Sequence, residues 1–182
     1  VQLKNNKGGN ALGHAAYKNH ANIVQFLLDH NANPNDKDKT GRNTLHIACF
    51  QGCNEVVEVL VNSGKVEDIN ARTQDNRDVL SLAISGGCNV RTVAELVFHG
   101  ASLNVVDELK HNLLHQSVLK GNLQLLDFFY LHSNINLNLI DSMGNTCVHL
   151  ACRIGNRSIL TYLFYHGAMI NCQIGRASCR ER

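Results

Sequence analysis

The fifteen residues from Asp38 to Gly52 are rewritten 103 residues later as Asp141 to Gly155, with the Asp, the first Gly, His, Ala, Cys and the last Gly in register. Fainter copies fill the gap. Leu12, Leu45, Leu80, Leu114 and Val148 lie 33, 35, 34 and 34 residues apart, and Asn35, Asn70, Asn104, Asn138 and Asn171 lie 35, 34, 34 and 33 apart. No other feature constrains the fold as strongly. A chain that repeats itself at this period builds a stack of supersecondary units, each covering an apolar side of the next, and not a single-core enzyme domain.

The repeated residues resemble the ankyrin repeat, whose unit runs D-x-x-G-x-T-P-L-H-x-A, then a Gly-rich turn, an apolar helix and G-A-x-x-N. One copy matches at Asp38, Gly41, Leu45, His46, Ala48, Gly52, Val56, Val57, Leu60 and Gly64. The last matches at Asp141, Gly144, Thr146, His149, Ala151, Gly155, Leu163, Gly167 and Ala168. The resemblance implies an all-α repeat solenoid of about five stacked copies, each a helix-turn-helix followed by a β-hairpin loop. Its repeats are expected at 5–37, 38–72, 73–106, 107–140 and 141–172 of an ankyrin domain spanning 5–172, with residues 1–4 as the tail of a preceding repeat.

The copies differ in ways that carry expectations. In the first, Ile23, Val24, Phe26, Leu27 and Leu28 form the apolar face of a second helix that Asn33-Pro-Asn35 ends with turn chemistry. That Pro is the chain's only one, so no repeat has the Pro that ankyrin units carry at the first helical position, and each first helix is expected to be weaker for it. In the second copy Asn43 predicts an N-cap and Gly64 a left-handed stop. The third puts Asn76, Asp78 and Ser81 where the family has Gly, Thr and His, and Gly86-Gly87 lengthens its turn by a residue. It is expected to be the weakest repeat and the first to exchange its amide hydrogens. The fourth has Lys110 for Gly and Ser117 for Ala, and its loop from Ser133 to Asn138 lacks the helix-ending Gly.

Residues 173–182 do not continue the period and match a translated sequencing adapter, so they are expected to be a non-native tail. With no Met at the start, the sequence is expected to be an internal fragment of a longer array. Arg176, Arg180, Arg182 and Glu181 supply the whole formal net charge of +2, and without them no basic balance draws the chain to nucleic acid or anionic lipid. Without Cys179 the cysteines number six and are scattered without paired spacing, which predicts a reducing, intracellular and cytoplasmic setting. No apolar run approaches the length that spans a membrane.

The chemistry that the residue types suggest is weaker than the structural roles open to them. By the resemblance, His46, His115 and His149 bond to backbone and hydroxyl groups of their own and the adjoining repeat. His46-x-x-Cys49 and His149-x-x-Cys152 each place two metal-ligand types on one helix face. The pairs are three repeats apart, too far to share one ion. Cys147 beside His149 has no third orienting group, so a thiolate nucleophile is not expected. His30, His99 and His166 precede helix stops, where an imidazole complements the helix dipole. Asn156-Arg-Ser158 matches a glycosylation acceptor, against the intracellular setting. Asn35, Asn104 and Asn171 each have a Leu eight residues upstream, the spacing of family asparagines that are hydroxylated, but lack the acidic residue two before and are read as structural. No catalytic residue, metal or cofactor is expected.

The resemblance implies a protein-interaction scaffold. The alternatives are a regulatory or substrate-recruiting arm of a larger enzyme or ion channel, and a structural spacer. Ankyrin partners meet the loop tips and the inner side of the first helices, which here carry Tyr17, Lys39, Arg42, Phe50 and Arg77 early in the chain and Leu109, His111, Leu119, Met143, Arg153 and Ile154 later. A protein or peptide partner, acidic at one end and apolar at the other, is therefore expected on a monomeric chain, with no nucleic acid and no membrane insertion.

Overall fold

The computed structural model describes residues 8–169. Among them ten helices run in five pairs: α1 (Ala11–Tyr17) and α2 (Ala21–Asp29), α3 (Thr44–Phe50) and α4 (Asn54–Asn62), α5 (Val79–Gly86) and α6 (Val90–Phe98), α7 (Leu113–Leu119) and α8 (Leu123–His132), α9 (Cys147–Arg153) and α10 (Arg157–Tyr165). This is the expected all-helical repeat architecture. The loops between pairs form no ladder among the described residues; a single isolated bridge joins Val106 and Asn112. Asn10, Asn43, Asp78 and Asn112 each start a first helix by accepting the N–H three residues on, which satisfies one of the donors that a helix start leaves open. The third repeat keeps this cap with Asp78, whose second oxygen takes the Ser81 hydroxyl at 2.9 Å.

The helices fall into two compact units, the first ending at Val105 and the second beginning at Val106. In the first, α3 packs on both α1 and α5, while α4 packs on α2 and α6. The recurring Leu12, Leu45 and Leu80 are buried there with Val24, Leu28, Val56, Leu60, Val93 and Leu96, which is why the Leu period was so regular. In the second, α7 packs on α8 and α9, and α9 on α10, around Leu114, Leu125, Phe129, Val148, Ile159 and Leu163. A fully buried aliphatic side chain contributes about 1.5–3 kcal/mol, so each interface is held by several such groups.

The Asn period has its own cause. The Asn35 side chain donates to the Lys65 carbonyl at 2.8 Å and accepts from the Glu67 N–H at 3.1 Å. Asn70 does the same to Gly100 and Ser102, and Asn138 accepts from Met169. The carboxamides of Asn35, Asn70 and Asn138 therefore tie one loop to the next, while Asn171 lies outside the described residues. At the ends of the second helices, the Nδ1 atoms of His30, His99 and His132 sit 2.8–2.9 Å from the carbonyl four residues back. At His30 and His99 that carbonyl also accepts the backbone N–H of the same residue, so the ring brings a second polar contact to the helix end.

Two departures from the repeat pattern cost or replace something. Without its glycine, α8 ends on Ser133, whose hydroxyl donates to the Phe129 carbonyl at 2.6 Å. Lys110, standing where Gly41 and Gly144 stand in other repeats, is forced to φ 58°. The left-handed conformation costs a side-chain-bearing residue roughly 1–2 kcal/mol, and glycine's extra freedom when unfolded returns about half of that. Lys110→Gly is thus expected to stabilise the second unit by ~0.5–1 kcal/mol, seen as a higher urea midpoint with an unchanged slope.

Candidate protein-binding surface

The loops before α3, α7 and α9 are each wound around one aspartate, while Thr73 Oγ1 takes that place before α5 by accepting the Arg77 N–H. Asp38 accepts from Thr40 N–H (2.8 Å), Thr40 Oγ1 (2.6 Å) and Arg42 N–H (3.0 Å). Asp107 accepts from the N–H groups of Leu109 and His111, and Asp141 from those of Met143 and Asn145. Neighbouring tips are joined by backbone bonds, Gln74 N–H to the Thr40 carbonyl in the first unit and Ser142 N–H to the Leu109 carbonyl in the second. Side chains at the tips are thus exposed on a fixed backbone.

In the first unit, Tyr17 (50 % exposed) and Phe50 (41 %) stand at the ends of α1 and α3 and line a cleft of about 410 Å³ with Lys18, Asp38, Arg42 and Gln51. Lys39 is exposed. The two arginines expected on this surface both make side-chain hydrogen bonds. Arg42 Nε and Nη2 lie 3.1 and 3.0 Å from Asp38 Oδ2, and Arg77 Nη2 donates to Ser85 Oγ at 2.6 Å. Asp38 offsets the Arg42 charge, whereas Arg77 is oriented by a neutral hydroxyl and keeps its charge.

In the second unit, Leu109 (51 % exposed) and Met143 (67 %) project from adjoining tips, Arg153 and Ile154 are exposed at the end of α9, and Leu119 is half-buried at the end of α7. Leu139 and Ile140, also exposed, extend this apolar area and were missed; the only sequence signal was an apolar pair just before the loop aspartate.

His111 does not belong with these surface groups. It is buried, its Nδ1 2.9 Å from Asp107 Oδ2 and its Nε2 3.3 Å from Asp141 Oδ2. The position four after a loop aspartate reaches back to that carboxylate in Arg42, His111 and Asn145 alike, and only the imidazole also reaches the next one.

The repeat-position histidines take the structural role expected of them. His46 Nε2 donates to the Ala71 carbonyl at 2.9 Å and its Nδ1 accepts from Asn43 N–H. His115 bonds to Leu139 and Asn112 in the same way, and His149 Nδ1 receives the Thr146 hydroxyl at 2.9 Å. Burial pushes the pKa values of His46 and His115 down, His115 further through the neighbouring His111, so both act as neutral rings. Burial drives the Cys49 thiol well up and that of Cys147 up to about 12, which opposes thiolate chemistry at either. Asn156 spends its side-chain oxygen on the Ile159 N–H as the N-cap of α10. Among the described residues no three His, Cys, Asp or Glu are grouped to hold a metal ion, and no helix is long and apolar enough to cross a membrane.

A family model described as ankyrin repeats matches residues 1–75 and 79–174. An ankyrin repeat protein of Acanthamoeba polyphaga mimivirus is 26 % identical over 128 residues, which is 70 % of this chain and 16 % of that protein. Human neurogenic locus notch homolog protein 2 is 32 % identical over 121 residues, 64 % of this chain and 5 % of its own length. Human rabankyrin-5 is 28 % identical over 114 residues, 62 % of this chain and 10 % of its own. Such repeats are in general modules of protein–protein interaction. With helix pairs, loop aspartates, carboxamide ties and buried histidines all recurring in register, the chain belongs to the ankyrin-repeat family.

Proposed function

We propose that this chain is a binding module that holds a protein or peptide partner on its loop tips and on the inner ends of its first helices, and that it performs no catalysis. The observation that carries the reading is the pairing of exposure with order. Tyr17, Phe50, Leu109 and Met143 are large, apolar and about 40 % exposed or more, yet sit on helix ends and on loops whose backbone is held by aspartates. Apolar groups held in place without being used by the core are those a partner buries, and such anchors lose little entropy on binding. Partner contact is assigned to Tyr17, Lys39, Phe50, Arg77, Leu109, Leu119, Met143, Arg153 and Ile154, with Arg42 contributing less because Asp38 offsets its charge. Repeats at 5–37, 38–72, 73–106, 107–140 and 141–172, a monomeric chain, an intracellular compartment and a partner other than nucleic acid complete the proposal.

The test is affinity capture from the source cells, followed by titration of the identified partner against variants. Leu109→Ala with Met143→Ala is expected to speed dissociation about tenfold or more, since truncating an anchor costs on the order of 1–2 kcal/mol. The urea midpoint should stay within ~0.5 kcal/mol of wild type because neither side chain is in the core. An unfolded double variant with unchanged affinity per folded molecule would move both residues into the core and end this assignment. The chain spans 16 % or less of the length of these relatives. A recruiting arm of a larger enzyme or channel is accordingly the second reading, decided by the full reading frame.

A further inference from the structure

Resting on the reading of Leu109 and Met143 as partner contacts, we infer that the Asp107–His111–Asp141 bridge is a protonation-dependent clamp that locks the two loop tips into one apolar binding surface. An ionised carboxylate only accepts hydrogen bonds, and His111 offers one ring nitrogen to each of two carboxylates. Both bonds exist together only when both nitrogens carry protons, as in the imidazolium. The neutral ring can serve one aspartate and must turn a lone pair towards the other. The two carboxylates are the same ones that hold the Leu109 and Met143 N–H groups, so the ring joins the two anchors on which the tips are wound.

The charged and titratable groups recorded against the ring are Asp107 from its own loop, Asp141 from the following loop, and His115 from α7, whose ring centroid lies 5.9 Å away. Asp141 stays ionised down to about 2, so whether it is bonded to the ring is set by the proton on Nε2. The sign follows from the geometry: the clamp is closed while both ring nitrogens carry protons and opens when rising pH removes the second.

Arg42 and Asn145, which occupy the equivalent position in other repeats, supply two variants that fit the loop. The experiment measures amide hydrogen exchange of Leu109, Ser142 and Met143 in the free protein at pH 5.5 and 8.5, corrected for the intrinsic pH dependence of exchange. Wild type is expected to lose protection at these amides several-fold between the two values. His111→Asn should be flat at the low level and His111→Arg, a permanent cation, flat at the high level. Wild-type protection that does not change with pH, or a change that persists in His111→Asn, would overturn the clamp. Because no partner is present, these outcomes stand apart from the binding assignment, which fails on its own if Leu109→Ala with Met143→Ala leaves dissociation unaltered.

Discussion

Gly86→Ala is expected to destabilise the first unit by about 3 kcal/mol, even though alanine is the better helix former by about 1 kcal/mol. Gly86 is the last residue of α5, and its Cα faces the end of α3 at backbone distance. A Cβ there would stand 2.6 Å from the Phe50 carbonyl oxygen and 2.8 Å from its carbon, and closer still to the Cys49 oxygen. None of these atoms belongs to a side chain that can swing away. The obstacle is the helix end itself, so either α3 and α5 separate, loosening Leu45 against Leu80 and Ala83, or α5 frays by a turn. Gly87 is the control. It has open space around it and φ 78°, so Gly87→Ala meets only the left-handed penalty of about 1 kcal/mol. Urea unfolding followed by far-ultraviolet dichroism separates the two variants. Equal effects at both positions would mean that backbone conformation, not the close approach of α5 to α3, makes glycine necessary at 86.

The contrast between those glycines marks how far the sequence can be read. The spacing of Leu12, Leu45, Leu80, Leu114 and Val148 located every first helix, because a core position in a stack must recur once per unit. The asparagine spacing located the loops at Asn35, Asn70 and Asn138, because each of these carboxamides reaches the following loop. Asn43 as a cap and Gly64 as a stop followed from local chemistry alone. Gly86-Gly87 was legible as a lengthened turn, but which glycine is sterically required depends on the distance to another helix. Arg42 and His111 were hidden for the same reason. Both sit at a loop position that looks variable, where Arg, His and Asn all occur, and projection onto a family surface counts such a residue as exposed. The sequence cannot show that Arg42 folds back on Asp38, nor that His111 is covered and bonded to an aspartate 30 residues on. The third repeat shows the converse. Its missing Thr and His suggest weakness, yet Asp78 and Ser81 rebuild the cap with a different pair of groups, and what Ser81 gives up is the reach of His46 to the next loop.

Replacing Asp141 with asparagine should remove about 2 kcal/mol of stability from the second unit at neutral pH and abolish most of its acid sensitivity. Burial acts to raise the pKa of this carboxyl, but the Asn145 side chain, the N–H groups of Asn145 and Met143, and the charge of His111 outweigh it and hold the value at about 2. Relative to 3.8 in the unfolded chain, that depression is worth roughly 2 kcal/mol. For a carboxyl depressed on folding, this stability is present above the unfolded pKa and drains away as pH falls from about 4 through about 2. Asparagine at 141 keeps one oxygen for the backbone N–H groups. Its amide nitrogen, however, then faces the Asn145 Nδ2 and His111 Nε2, setting donors against donors in a buried site. Tyr130, Tyr162 and Tyr165, three of the four tyrosines, lie in the second unit, so near-ultraviolet dichroism during urea titrations at pH 7, 4 and 2.5 reports mainly on it. Wild type should weaken steeply over the last interval, and Asp141→Asn should start lower and fall less. Combining Asp141→Asn with His111→Asn is expected to cost less than the sum of the two, because each already breaks the same bridge. Strict additivity would show that the two side chains, though 3.3 Å apart, do not act as a pair.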